Sequence, residues 1–171
     1  DPDGYYKSTM GELLLDRYRV ISTAGKGVFS SVLQCQDFYT AEKDIVAIKL
    51  IRNNDIMKKA AYTEIRLLNE LNTPTNTTKN KDKNHLDHTS FQDQKYIIKC
   101  LSHFEYRNHI AIVFESMSMN LREALKKFGG KAGISLQAVR VFGKQCLFGL
   151  RMLKKYGIIH KLGSGFVREM A

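Results

Sequence analysis

Long apolar runs are missing from this 171-residue chain. The longest, Ile110-Ala111-Ile112-Val113-Phe114, is far too short to cross a bilayer, which takes about 20 residues. The N-terminus opens Asp1-Pro2-Asp3, with neither a basic stretch nor an apolar one behind it, so no secretory signal is expected. Cys35, Cys100 and Cys146 are odd in number and share no short spacing. That argues against a disulfide framework or a zinc cluster, and for a reducing compartment. His85 and His88 lie in a polar tract without a cysteine nearby, and no metal site is assigned there. Acidic residues are outnumbered: 17 Asp and Glu against 27 Lys and Arg leave a net charge of +10. Such an excess raises the question of a polyanionic partner, whose binding would depend steeply on salt. The cations are scattered along polar faces, however, as in Lys126-Lys127 and Lys154-Lys155. No basic stripe interleaved with aromatics appears, so direct nucleic-acid binding is not the expected primary role.

What is present is the composition of one globular domain. Tyr18–Ile21, Val28–Cys35 and Ile45–Ile51 read as strands, the last broken by Lys49 alone. A helix is expected over Asp55–Leu71, with Met57, Ala61, Leu68 and Leu71 on its apolar face and Glu64 on that same face. Residues 72–94 are polar and nearly free of aliphatics, and read as a disordered insertion. Two more strands follow, Tyr96–Phe104 and His109–Glu115, turning at Tyr106-Arg107-Asn108. Asn120 with Glu123 forms a capping-box pattern for a short helix closed by Gly129. A longer helix is expected over Ser135–Tyr156, with Val139, Phe142, Cys146, Leu150 and Leu153 as its stripe and Gly157 as its stop. Strands, one helix, two strands and then helices make an α+β arrangement: a small sheet with one helix, handing over to a helical region.

Three features carry chemistry. Gly25-Lys26-Gly27 places glycines one residue apart between strands, where peptide N–H groups can approach an anion unhindered by Cβ atoms. Taken alone, that pattern fits a plain hairpin better. In Val46-Ala47-Ile48-Lys49 the period of two puts Ala47 and Lys49 on one face, roughly 6.6 Å apart. Taken alone, Lys49 could be a snorkelling lysine on an edge strand. Glu64 alters that balance, because an inward lysine and an inward carboxylate are each costly singly and tolerable as a pair.

In order and spacing, Gly25-x-Gly27, Val32, Val46-Ala47-Ile48-Lys49 and Glu64 match the protein-kinase signature set. Asp3-Gly4-Tyr5-Tyr6, Gly25-Lys26-Gly27-Val28-Phe29-Ser30, Ile51-Arg52-Asn53-Asn54 and Ser118-Met119-Asn120-Leu121-Arg122-Glu123 resemble the pre-mRNA processing (splicing-associated) Ser/Thr protein kinases of the CMGC group. The resemblance implies a kinase-like N-lobe, an antiparallel five-stranded sheet plus one helix, over residues 18–117. The start of the helical C-lobe would cover 118–160, and a divergent tail 161–171. It implies ATP as ligand, held by Ala24, Gly25, Lys26, Gly27, Val32, Ala47 and Lys49. Phe114 would be the gatekeeper, and the backbones of Glu115 and Met117 would meet the adenine edge. Lys49 and Glu64 would be the catalytic ion pair. Protein substrates, splicing factors among them, and a nuclear or cytoplasmic location are further implications, with no membrane role.

The sequence departs from the family in two places. Ser30 replaces the third loop glycine, as the splicing subfamily also does. More severely, Ile158-Ile159-His160 resembles the approach to the catalytic loop, yet Leu162 stands where the catalytic Asp belongs. The Mg2+ that the family uses has its ligands missing here, with neither the Asn nor the DFG motif following. The abrupt change suggests a cut or misread coding sequence, and a chain inactive as written. Two alternatives remain open: a non-catalytic kinase-like adaptor, and a basic RNA-associating module.

Overall fold

The structure, a computed structural model, describes residues 2–73, 95–130 and 132–159. The expected insertion therefore lies almost wholly outside the described residues, and so do His160, Leu162 and the tail. The chain divides into two compact units: Asp1–Asn69 with Lys99–Ser116, and Glu70–Ile98 with Met117–Ala171.

The first unit is built on a sheet of strands β1 (Leu13–Leu14), β2 (Tyr18–Lys26), β3 (Ser30–Asp37), β4 (Ile45–Ile51), β5 (Cys100–Tyr106) and β6 (His109–Glu115). All pairings are antiparallel, in the order β1-β2-β3-β4-β6-β5. The expected five strands are joined by a sixth, β1, which is only two residues long and has no periodicity to betray it. The strand expected over Tyr96–Phe104 begins later and ends later, at Cys100–Tyr106. The β5–β6 turn explains the later end: Arg107 and Asn108 have φ of 46° and 64°. Both central residues in the left-handed region make the two-residue turn whose twist matches a hairpin.

One face of the sheet is closed by Leu14, Tyr18, Val20, Leu33, Cys35, Val46, Ile48, Leu50, Ala111 and Val113, all buried. Tyr18 stacks on Phe104 with ring centroids 5.6 Å apart. At the rim, Arg17 grips buried Asp37 through two hydrogen bonds, Nε to Oδ1 at 2.8 Å and Nη2 to Oδ2 at 2.7 Å. Helix α1 (Asp55–Asn72) follows β4. The Asn54 carboxamide oxygen accepts from Ile56 N–H and Met57 N–H, satisfying the first turn.

The second unit holds a short helix α2 (Leu121–Ala124), continued by a π-type turn over Leu125–Gly129, and a long helix α3 (Leu136–Lys155). The capping box forms: Asn120 accepts from Glu123 N–H, and Glu123 accepts from Asn120 N–H. Gly130, at φ 51°, ends this segment in place of Gly129. Gly157 (φ 67°) donates to Lys154 O, and Ile158 donates to Leu153 O, which is the paired-bond helix stop that glycine permits. A small core gathers Leu71, Ile97, Met152 and Leu153, flanked by Tyr156 and Ile158. The expected α3 stripe is only partly interior: Leu153 is buried and Phe142 half-buried, while Val139, Cys146 and Leu150 are exposed. The buried face is instead centred on Gly149, Met152 and Leu153.

Candidate functional site

Cross-strand partners in an antiparallel sheet share a face, so pairing register decides which side chains meet. Val32 pairs with Lys49, and Lys49 with Ile112. In the next rank, Gln34 pairs with Ala47 and Ala47 with Phe114. Val32, Ala47, Lys49 and Phe114 thus stand on one face, opposite the core that takes Val46, Ile48 and Leu50. Cys100 pairs with Phe114 and joins them there.

Glu64 comes to this face from α1. That helix buries Ala61, Ile65, Leu68 and Leu71, and the spacing sets Glu64 between them. The Lys49 Nζ donates to Glu64 Oε1 at 2.6 Å and to Oε2 at 2.9 Å. The two side chains are 26% and 16% exposed, so the pair is partly screened from bulk water. The Cys100 thiol is pushed above its ordinary pKa, first by burial and next by the nearby Glu64 carboxylate.

The glycine hairpin joins β2 to β3. Gly25 pairs with Val32 and Lys26 with Ser31, and the β2–β3 ladder slips in register between Thr23 and Gly25. Gly27 N–H donates to Ser30 O at 2.8 Å, closing the tip. A Cβ added at Gly25 would meet nothing within 4 Å. Among the described residues, no packing contact requires glycine there, which fits a backbone kept bare for a ligand. Ala24 and Lys26 are exposed. At the far end of β6, Glu115 exchanges bonds with Lys99: its N–H donates to Lys99 O at 3.2 Å, and its carboxylate accepts Lys99 N–H at 2.9 Å. Met117 belongs to the second unit, and Leu162 lies outside the described residues.

Known proteins are similar to this chain in sequence and in fold. The Ser/Thr protein kinase prpf4B of Dictyostelium discoideum is 41% identical over 161 residues, which is 94% of this chain and 18% of its own. The Ser/Thr protein kinase prp4 of Schizosaccharomyces pombe is 38% identical over 160 residues, covering 94% of this chain and 30% of its own. Over nearly all of its length the chain is thus similar to Ser/Thr protein kinases. Those relatives are CMGC Ser/Thr kinases. A crystal structure of a kinase domain superimposes on this chain with a TM-score of 0.69, at 22% identity, over 91% of this chain and 40% of that one. That likeness concerns the fold. No family model matches the chain. The chain spans 18% and 30% of the length of the two curated kinases above.

Among the described residues, no group of His, Cys, Asp and Glu could hold a metal ion. No described helix is long and apolar enough to cross a membrane. Sequence reasoning missed Gln34, Cys100 and Ile112 on the shared face, and Tyr5, whose hydroxyl reaches the hairpin tip. Strand register and a long-range contact put them there, and neither is written in a local pattern.

Proposed function

We propose that this chain carries the ATP-binding portion of a Ser/Thr protein kinase. The observation behind this is the Lys49–Glu64 ion pair on the sheet face shared by Val32, Ala47 and Phe114. An ammonium held by a carboxylate is fixed in direction, so Lys49 can meet α- and β-phosphate oxygens without losing side-chain freedom on binding. Ala47 leaves room for a flat ring, which Val32 would cover and Phe114 would bound at the back. The backbones of Glu115 and Met117 would offer the adenine edge its hydrogen bonds. The peptide N–H groups of the Ala24–Gly27 hairpin would lie along the phosphates.

Bound Mg-ATP supplies the γ-phosphoryl group, which the whole kinase would pass to protein hydroxyls. The similarity to prp4-type kinases supports splicing factors as substrates and the nucleus as the place. Among the described residues, no group of His, Cys, Asp and Glu is placed to hold the accompanying Mg2+. Leu162, at the place of the catalytic Asp, can neither accept a proton nor orient a hydroxyl. The chain as written is therefore expected to bind nucleotide without transferring phosphate.

Titration calorimetry with ATP tests the assignment. Saturable binding that Lys49→Met abolishes is expected. Failure of the unaltered chain to bind, or binding indifferent to Lys49, would overturn it. Salt-sensitive RNA affinity that ignores Lys49 would favour a basic RNA-associating module instead.

A further inference from the structure

The Asp3-Gly4-Tyr5-Tyr6 stretch lies outside the residues assigned above to nucleotide binding, yet within the first unit it is tied to the residues after β4 and to the glycine hairpin. Asn53 N–H donates to Gly4 O at 2.7 Å, and Arg52 Nε donates to Asp3 O at 2.7 Å. Gly4 has φ +77°, and a Cβ there would stand 3.1 Å from Asn53 O, so glycine alone gives this approach without strain. On the other side, the Tyr6 ring meets Tyr106 and His109 edge-on, at centroid distances of 5.9 Å and 5.3 Å. The Tyr6 hydroxyl is bonded to the Glu12 carboxylate. The segment is therefore anchored both before and after Tyr5.

Between these anchors, Tyr5 reaches the glycine hairpin. Its hydroxyl shares one proton between Gly27 O at 2.8 Å and Val28 O at 3.1 Å. Val28 O also accepts from Arg52 Nη1 at 3.0 Å, and Arg52 N–H donates to Phe29 O at 3.1 Å. The Tyr5 ring lies between two cations, Lys26 Nζ at 3.8 Å and Arg52 Cζ at 4.5 Å from its centroid. The side chains of the tip itself face solvent. Val28 and Phe29 are 68% and 65% exposed, so apolar packing of their side chains cannot fix its shape.

We propose that Tyr5 is a positioning residue for the phosphate-facing hairpin: its hydroxyl ties the Gly27–Val28 tip to the anchored N-terminal segment and holds the hairpin amides in presentation. This role rests on the ATP assignment above. Tyr5 touches no reacting atom; it acts through the backbone carbonyls of the hairpin. It also draws the Lys26 ammonium onto its ring, so the hairpin lysine is positioned by the same side chain. An ordered hairpin loses less freedom when an anion binds, which favours ligands bearing phosphates over those without.

Tyr5→Phe removes the hydroxyl alone and keeps the ring between its two cations. In the full chain, amide hydrogen exchange at Gly25–Phe29 is expected to quicken. ATP affinity should fall about three- to tenfold, as loss of one hydrogen bond implies. Adenosine, which has no phosphates, should bind as before. A merely structural role would weaken ATP and adenosine together, and that parallel loss would overturn the proposal. Unchanged exchange in Tyr5→Phe would overturn it too, as would ATP affinity equal to that of the unaltered chain. Gly4→Ala, which pushes the segment off Asn53, should act in the same direction. If the unaltered chain binds no ATP, the nucleotide assignment falls and the role of Tyr5 with it. ATP binding that survives Tyr5→Phe intact dismisses Tyr5 alone.

Discussion

Lys49 and Glu64 are separated by 15 positions in the chain and by 2.6 Å in space. Their exposures of 26% and 16% put both charges where water can only partly solvate them. Each stabilises the other, and removing one leaves the second stranded. Lys49→Met is expected to cost about 1–3 kcal/mol, below the cost of breaking a fully buried pair because some solvation remains. The double change Lys49→Met with Glu64→Leu should recover most of that loss. Urea unfolding of the two single variants and the double checks it; a loss in the double equal to the sum of the two single losses would show that the pair carries no coupling.

Arg17 and Asp37 make the sharper pH probe. The Arg17 hydrogen bonds hold the Asp37 carboxyl below its ordinary pKa of 3.8, against the opposing effect of burial. A carboxylate with a depressed folded-state pKa stabilises the fold above its unfolded pKa, and that contribution disappears as pH falls through the folded value. Stability should therefore drop from about pH 4 downward. In Arg17→Met the protein should be weaker at pH 7 and show a shallower further loss on acidification. Thermal melts from pH 7 to pH 2.5 would reveal parallel curves if the pair were irrelevant.

The thiols should react in a fixed order. Cys35 is fully buried in the sheet core, and burial pushes its pKa up to about 12. Cys100 is half-buried and also raised, whereas Cys146 is exposed on α3. Only the thiolate is nucleophilic, so iodoacetamide at pH 8 should label Cys146 first and leave Cys35 untouched until the chain unfolds. Mass mapping that finds Cys35 modified in the folded chain would contradict this core.

Helix α3 predicts a surface property. Leu136, Val139, Leu147 and Leu150 are exposed, Leu147 at 67%, and recur at helical spacing. A stripe of this kind binds hydrophobic dyes and promotes self-association. The chain should enhance anilinonaphthalene fluorescence, and Val139→Lys with Leu147→Lys should suppress it with little change in melting. Met152→Ala, by contrast, opens the small core around Leu71 and should cost about 2–4 kcal/mol. Dye binding unaffected by the paired lysines would mean that the apolar surface lies elsewhere.

The legible parts of the fold were those with local causes. Asn120 and Glu123 announce a helix start because both groups lie within one turn of the N–H groups they satisfy. Gly157 announces a stop because its φ is one that other residues adopt reluctantly. Lys49 and Glu64 were legible as a pair because each breaks an apolar pattern whose period is visible. The α3 stripe was misjudged for a related reason: periodicity shows that a helix has an apolar face, and leaves open which part of it finds a partner. Leu153 packs against Leu71 and Ile97, while Val139 and Leu150 on the same helix do not reach that cluster. Strand β1 was invisible, since two residues carry no period at all.

From the amino-acid order alone came the alternation that sends Lys49 away from the core, the helix that carries Glu64, and the caps and turns between elements. These follow from backbone geometry and side chains a few positions apart. Tertiary structure alone decided the order β1-β2-β3-β4-β6-β5, the register that stands Phe114 beside Ala47, and the reach of Tyr5 to the Gly27–Val28 tip. Such pairings join segments far apart in the chain. They form only when burial on both faces of the sheet repays the entropy of closing the loops between them.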